Sequence, residues 1–293
     1  MAYYHIAQSG DVIIQSANIS KLLGKKDALV NKTGFQKPRY FIEDVSDKKE
    51  KVVTNIEEDN VEYIYYTKDG EFLGGKEDSN KVYITTKAEY DKAKEKGEWS
   101  LINKEENLIK EKGRIVPHSE FQDLAGTFYA ESTATETSFE EVISICCVLN
   151  NRATMDKTTI LEKATQKNQV YGWKERHKIK DKLANSKKVK YCYKALIEVL
   201  KGCKDYSNGA TYWHGKDFAK TNKPAHKDFY LKGFLFTDKT HDKWNLGDKE
   251  VEGEHNKKTW KYKYKSTAIY ANTTFMTLTE EWKEAVGYKK GKW

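Results

Sequence analysis

A helix–loop–helix pattern over residues 123–152 limits the folds open to this chain more than any other segment. The first helix ends at Glu131 and is mostly apolar, and a small polar loop follows it. Ser138 with Glu141 three residues later is a capping-box pattern, which predicts the start of the second helix. Apolar residues then recur at helical spacing, which predicts a helix packed into a core: Val142, Ile145, Cys146 and Leu149.

This arrangement puts one carboxylate, Glu131, at the end of an apolar helix and in front of a buried one. Burial raises the pKa of a carboxyl group because the charged form loses its hydration. A glutamic acid with a raised pKa can serve as a general acid near neutral pH. We therefore predict that Glu131 is an acid/base catalyst. The competing interpretation is a carboxylate at a helix end without any catalytic role.

Three segments, in this order along the chain, resemble the cell wall hydrolases of the spore-cortex-lytic type. Residues 129–132, Tyr-Ala-Glu-Ser, with the helix that ends in Asn151-Arg152, are similar to that family's Tyr-Gly-Glu-Ala element and its Asn-Arg helix end. Residues 169–173, Gln-Val-Tyr-Gly-Trp, are similar to its Gln-Phe-x-x-Trp segment. Residues 208–214 resemble its Gly-Ala-Thr-Tyr-Phe segment, and the whole resemblance covers roughly residues 118–218.

The resemblance implies a lysozyme-like, α-rich domain that cleaves the MurNAc–GlcNAc bond of peptidoglycan, as a lytic transglycosylase or a muramidase, without a cofactor. It implies that Glu131 is the acid/base. Glu136 is the candidate second carboxylate, although it follows Glu131 by five residues where the family has four, and Ala130 stands where the family has Gly. The expected substrate-binding residues are an amide, four aromatic residues and one small residue: Gln169, Tyr171, Trp173, Ala210, Tyr212 and Trp213. The alternative is that the aromatic residues are ordinary core or surface residues.

The chain as a whole is expected to be α+β, with a boundary after residue 104. Residues 1–104 form a β-containing region that serves as a delivery module or a structural cap, with a hairpin at Asp69-Gly70. Residues 105–293 form the lysozyme-like domain and a β-rich C-terminal tail. Further predicted elements are a strand at 12–14 and a third strand at 81–86, helices at 88–97, 160–166, 175–184 and 187–200, and a strand pair at 259–265 and 268–278.

The formal net charge of +8, from 52 basic and 44 acidic residues, suits an anionic partner such as a cell wall polymer, a nucleic acid or a membrane surface. Lys and aromatic residues alternate over 259–265, which is typical of some nucleic-acid-binding strands, but a half-solvated antiparallel strand has the same pattern. We therefore expect no nucleic-acid partner. We also expect no membrane span, because no run approaches the roughly 18 apolar residues of a spanning helix.

The N-terminal residues lack the basic and apolar regions of a signal peptide. Together with the β region, this favours a bacteriolytic effector or lysin. It would be made in the cytoplasm, delivered by an injection-system component to the periplasm or cell exterior, and neutralised in the producer by a cognate immunity protein. The rival hypothesis is a non-catalytic glycan-binding or structural part of an injection particle. We expect no metal, since the seven His form no His-Glu-x-x-His pattern, and we expect the four Cys to be free thiols.

Overall fold

The structure is a computed structural model that describes residues 4–8, 11–16, 41–44, 63–76, 78–133, 137–167, 170–182, 185–219, 229–237 and 239–289. It divides the chain into an N-terminal unit, residues 1–60, and a main unit, residues 61–293. Both helices and strands are present, which agrees with the predicted α+β class. Within the described ranges, none of the helices combines the length and apolar character needed to cross a bilayer.

The described part of the N-terminal unit is an antiparallel sheet with the strand order β2-β1-β3. Its strands are β1 (Tyr4–Gln8), β2 (Asp11–Ser16) and β3 (Phe41–Asp44). The strand predicted at residues 12–14 lies within β2 and is confirmed.

The main unit combines a helical layer with several small sheets. Its helices are α1 (Lys87–Lys96), α2 (His118–Glu131), α3 (Phe139–Met155), α4 (Ile160–Thr165), α5 (Gly172–Glu175), α6 (Lys187–Leu200) and α7 (Glu280–Val286). Its strands are β4 (Ile64–Tyr66), β5 (Phe72–Gly75), β6 (Val82–Ile84), β7 (Lys110–Glu111), β8 (Arg114–Ile115), β9 (Tyr212–Gly215), β10 (Phe234–Leu235), β11 (Gly253–His255), β12 (Lys258–Trp260), β13 (Tyr264–Tyr270) and β14 (Thr273–Leu278).

The hairpin predicted at Asp69-Gly70 is confirmed, because β4 and β5 are antiparallel on either side of it. Strand β6 joins them in parallel with β4. This sheet packs on the helices through the ring of Tyr66, whose centroid lies 5.3 Å from that of Phe121 and 4.6 Å from that of Tyr193. The structure therefore places the boundary after Asn60 and not after residue 104, since the β4–β6 sheet shares a core with α2 and α6.

Helix α3 runs through the centre of the main core, as its apolar spacing predicted. Every residue from Val142 to Leu149 is buried, so both faces of this part of the helix are covered. The predicted helices at 88–97, 160–166 and 187–200 correspond to α1, α4 and α6. The helix predicted at 175–184 is replaced by the short α5 and a 3-10 segment, Arg176–Asp181.

The C-terminal part is a mixed sheet with the order β10-β13-β14-β9, which bounds a second apolar core. The strand predicted at 259–265 is divided between β12 and β13. The strand predicted at 268–278 instead includes a hairpin turn between β13 and β14, where Ala271 has a φ of 49°. The sequence did not predict this turn, because the turn contains neither Gly nor Pro.

Candidate active site

Glu131 is the last residue of α2, and its carboxylate is partly buried. Two N–H groups from distant segments hold it. Oε1 accepts a hydrogen bond from the backbone N–H of Gly172, and Oε2 accepts one from Nε1 of Trp213 at 3.1 Å. The two donors belong to α5 and β9, so three separate segments of the main unit meet at this carboxylate.

Burial raises the pKa of Glu131 above its ordinary value, and the hydrogen bonds from Gly172 and Trp213 and the charge of Arg152 oppose this rise only in part. The position of Glu131 at the C-terminal end of a helix acts in the same direction as burial, because the last carbonyl groups disfavour a negative charge. The carboxyl group therefore keeps its proton to a higher pH than an exposed glutamic acid does. This is the property that a general acid needs.

Two glycines allow the backbone of α5 and the following 3-10 segment to lie directly against α2. A Cβ atom built on Gly126 would be 2.1 Å from the carbonyl oxygen of Arg176. One built on Gly172 would be 2.7 Å from the carbonyl oxygen of Thr127 and 2.8 Å from Cγ of Glu131. Close approach of backbone to backbone is a standard reason for glycine, and here it brings the Gly172 N–H to the carboxylate.

Trp213 reaches Glu131 because side chains alternate along β9. Trp213 packs on the main helical core, whereas its neighbour Tyr212 faces the second core and meets the rings of Phe229 and Tyr264 edge-on. The guanidinium carbon of Arg152 lies 5.4 Å from the Tyr212 ring centroid and 5.3 Å from that of Trp213. The cation thus braces both rings.

Arg152 is itself buried, and its Nε donates to the carbonyl oxygen of Thr211 at 2.6 Å. Burial lowers its pKa to about 10, which leaves it charged at neutral pH. The preceding residue, Asn151, donates from Nδ2 to Oδ2 of Asp205 at 2.9 Å and to the carbonyl oxygen of Ala210 at 3.0 Å. The Asn-Arg pair therefore fastens the segment that leads into β9.

A second carboxylate, Glu141, is completely buried behind the loop that follows Glu131. The predicted N-cap is confirmed, since Ser138 accepts a hydrogen bond from the Glu141 N–H at 3.1 Å. The Glu141 carboxylate does not return to the cap, however. Its Oε1 accepts from Oγ1 of Thr133 and from Oγ1 of Thr273, both at 2.6 Å. Glu141 thus ties the loop to β14.

Lys188 holds the same loop from the other side. Its ammonium group donates to the carbonyl oxygens of Ser132 at 3.0 Å and Thr133 at 3.3 Å, and lies 4.4 Å from the ring centroid of Tyr129. Burial lowers its pKa. Lys188, Thr133 and Glu141 were not predicted as part of the site, because Lys188 and Thr273 join this loop from segments that are distant in the chain.

A groove of about 330 Å³ runs beside the end of α2. Two aromatic rings, one carboxylate and two ammonium groups are among the residues that line it: Tyr129, Ala130, Ser132, Tyr171, Glu175, Lys178 and Lys188. Tyr171 is 74% exposed, so its ring is open to a ligand. Glu131 and its two donors do not line this groove themselves, but Ala130 and Ser132, on either side of Glu131, do. A larger cavity of about 700 Å³ lies between α7 and the end of β14, and it too is not lined by Glu131 or its donors.

The structure brings some of the predicted site residues together and separates others. Glu131, Trp213 and the segment of Tyr171 and Trp173 meet at the end of α2, with the guanidinium carbon of Arg176 4.1 Å from the Trp173 ring centroid. Tyr212 faces the second core instead. Ala210, expected to contact substrate, is completely buried in the main core, and its carbonyl oxygen is bonded to Asn151. Glu136 and Gln169 lie outside the described residues.

Comparisons with family models, curated proteins and solved structures found no match to this chain. Within the ranges that the structure describes, no group of three or more His, Cys, Asp or Glu residues has the geometry to hold a metal ion.

Proposed function

We propose that this protein cleaves the glycan strand of peptidoglycan between MurNAc and GlcNAc, with Glu131 as the acid/base in a lysozyme-like catalytic domain. The observation that carries the proposal is the state of the Glu131 carboxyl group. It is partly buried, has a raised pKa, and is fixed by Gly172 and Trp213 beside a groove bordered by tyrosine rings. Aromatic rings suit the apolar faces of pyranose rings, and a protonated carboxyl group suits a glycosidic oxygen.

In the first step, Glu131 gives its proton to the glycosidic oxygen, and the bond to C1 of MurNAc breaks as positive charge develops on the ring. The resulting carboxylate is stabilised by the N–H groups of Gly172 and Trp213, which are donors already in place. It then accepts the proton of the MurNAc 6-hydroxyl as that oxygen attacks C1. The product is a 1,6-anhydro sugar, and one carboxylate is sufficient for both proton transfers.

Hydrolysis is the alternative outcome at the same bond, and it requires a second carboxylate in the usual schemes. Glu136 remains the candidate from the sequence. Glu175 is a further candidate, since it borders the groove and its ion pair with Lys178 lowers its pKa. A carboxylate that stays ionised suits the role of base better than that of acid.

The proposed site of action is the cell wall of a target bacterium, reached by injection as an antibacterial effector or by release as a lysin. An effector of this kind requires a cognate immunity protein in the producer cell. The formal charge of +8 supports attraction to the anionic cell wall.

Mass spectrometry of purified peptidoglycan after digestion tests the proposal. We expect soluble muropeptides from the wild-type protein and none from Glu131→Gln. The matched control is Glu140→Gln, which removes an exposed carboxylate on α3 and should leave release unchanged. Anhydro ends identify a transglycosylase, and reducing ends identify a hydrolase. Equal release by Glu131→Gln would refute the proposal.

A non-catalytic glycan-binding module is the second candidate, and the exposed ring of Tyr171 favours it. Such a protein would sediment with insoluble peptidoglycan and release nothing. Tyr171→Ala would then weaken sedimentation, whereas Glu131→Gln would leave it unchanged.

A further inference from the structure

Lys188 places an ammonium group in the groove beside the end of α2. Its Nζ donates to the carbonyl oxygens of Ser132 at 3.0 Å and Thr133 at 3.3 Å, and it lies 4.4 Å from the ring centroid of Tyr129. Tyr129, Ser132 and Lys188 all line the groove. Because Ser132 directly follows Glu131, the ammonium group is fixed to the loop next to the candidate catalytic residue.

The positive charge of Lys188 is not neutralised by a contact within the described part of the chain. There its ammonium group forms no ion pair, and it touches two carbonyl oxygens and one aromatic ring, none of which is an anion. Burial lowers the pKa of Lys188, and the more distant charge of Glu141 opposes this fall only in part. A half-buried cation without a contacting anion is costly, because burial removes its hydration. An anionic ligand in the groove would offset this cost.

The second ammonium group of the groove, on Lys178, already has an anionic partner. It forms an ion pair with Glu175, which lowers the pKa of Glu175 and raises that of Lys178. Two ammonium groups and one carboxylate line the groove, so its net charge is one positive unit, which belongs to Lys188. The Lys178 side chain is 58% exposed, whereas Lys188 is half-buried, so water screens an anion less at Lys188.

The substrate of the proposed function carries carboxylates on the sugar that would react. The lactyl group of MurNAc is attached at C3 of the ring whose C1–oxygen bond is cleaved. A lactyl group without a peptide ends in a carboxylate, and a peptide joined to the lactyl group brings carboxylates of its own. With C1 held at Glu131, these groups remain close to the same sugar ring. Lys188 is correspondingly close to Glu131, since it binds the carbonyl oxygen of the next residue.

We propose that Lys188 is a substrate-binding residue that selects peptidoglycan with a carboxylate on MurNAc, carried by the lactyl group itself or by the peptide attached to it. This assignment rests on the proposed function, because it gives a ligand to the groove of the same site. The ammonium group has three N–H donors, and the new contact would be a charge-assisted hydrogen bond from Nζ to the carboxylate. Tyr129 and Tyr171 would contact the sugar, and Lys188 would distinguish its substituent.

The test compares two substrates before and after their carboxylates are converted to amides with a carbodiimide and ammonia. Intact peptidoglycan supplies peptide carboxylates, and glycan stripped of its peptides by an amidase supplies lactyl carboxylates. The rate of release of soluble glycan fragments is measured at low substrate concentration for the wild-type protein and Lys188→Gln. The matched control is Lys187→Gln, which removes the same charge from the preceding, exposed residue of α6, outside the groove.

We expect amidation to slow release by the wild-type protein about tenfold or more in at least one pair of substrates, which is the effect of losing a hydrogen bond between charged groups. The pair that shows the effect identifies the source of the carboxylate. Lys187→Gln should show the same loss, which excludes an effect of total charge. Lys188→Gln should release the carboxylate-bearing substrate slowly, and amidation should leave its rate unchanged.

Equal release of free and amidated substrates by the wild-type protein in both pairs would overturn the inference, and this comparison needs no variant to fold. An amidation effect of full size in Lys188→Gln would also overturn it. That second result is what a purely structural role predicts, since a weakened loop would slow release of every substrate by the same factor.

Failure of this inference can be told apart from failure of the proposed function. A wild-type protein that releases fragments without any amidation effect loses only the role of Lys188. A wild-type protein that releases nothing loses the proposed function, and sedimentation with the same four materials then tests Lys188. In that case amidation should weaken binding by the wild-type protein and by Lys187→Gln, but not by Lys188→Gln; equal weakening in all three would overturn the inference.

Discussion

A single methyl group at Gly172 tests whether the close contact between α5 and α2 supports the Glu131 carboxylate. In Gly172→Ala the new Cβ atom would lie 2.7 Å from the Thr127 carbonyl oxygen, roughly 0.7 Å inside the range of ordinary contacts. The nearest obstacle is helix backbone, so α5 must move away from α2. Overpacking of this kind costs about 1–3 kcal/mol. Movement of α5 also weakens the charge-assisted hydrogen bond from the Gly172 N–H to Glu131. We expect the free energy of unfolding to fall by about 2 kcal/mol, measured by urea denaturation.

The control is Gly247→Ala, since nothing lies within 4 Å of a Cβ atom at Gly247. There the free energy of unfolding should change by less than about 1 kcal/mol, because the substitution acts mainly on the unfolded chain. Muropeptide release should fall in Gly172→Ala and stay unchanged in Gly247→Ala. Equal stability and equal release in the two variants would refute the view that this glycine contact positions Glu131.

Three further predictions concern the supports and the charge of the site. Glu141→Gln should lower the free energy of unfolding by about 1–3 kcal/mol in urea denaturation, because it removes a buried carboxylate that accepts hydrogen bonds from two threonine hydroxyl groups. The control, Glu140→Gln at the exposed neighbouring position, should change the free energy of unfolding by less than about 0.5 kcal/mol. Asn151→Ala should lower the free energy of unfolding by about 2 kcal/mol, because it removes the hydrogen bonds to Asp205 and to the Ala210 carbonyl oxygen. A decrease no larger than that of Asn150→Ala would contradict the view that Asn151 fastens this segment. The raised pKa of Glu131 means that the folded state binds its proton more tightly, so the wild-type protein should lose stability relative to Glu131→Gln as the pH rises above about 4, the ordinary pKa of a glutamic acid. Denaturation curves with no pH-dependent difference would count against the raised pKa.

Features that depend on a few neighbouring residues were predictable from the sequence. The Ser138 cap and the apolar spacing after it fixed the start and the burial of α3. The hairpin at Gly70 followed from the Asp-Gly pair, since Gly70 has a φ of 79° that other residues rarely adopt. The position of Glu131 at the end of α2 was also predicted correctly, because the apolar pattern of that helix is local.

Features that depend on distant partners were not predictable. Glu141 matched a capping box locally, but Thr273, 132 residues away, supplies one of its hydrogen bonds. Ala210 occurs in a motif that suggested substrate contact, yet the bond from Asn151 draws it into the core. Side chains alternate along β9, which explains why Trp213 and Tyr212 face different cores. No strand was predicted at these residues, however, so the alternation could not be used to place the two side chains.

The rate of muropeptide release from purified peptidoglycan, measured across pH for the wild-type protein and Glu131→Gln, tests the role of Glu131 most directly. We predict that the wild-type rate is high where the Glu131 carboxyl group is protonated and falls as the pH rises through its raised pKa. We predict no release by Glu131→Gln at any pH at which it is folded. Release by Glu131→Gln at the wild-type rate and with the wild-type pH profile would contradict the assignment of Glu131 as the acid/base.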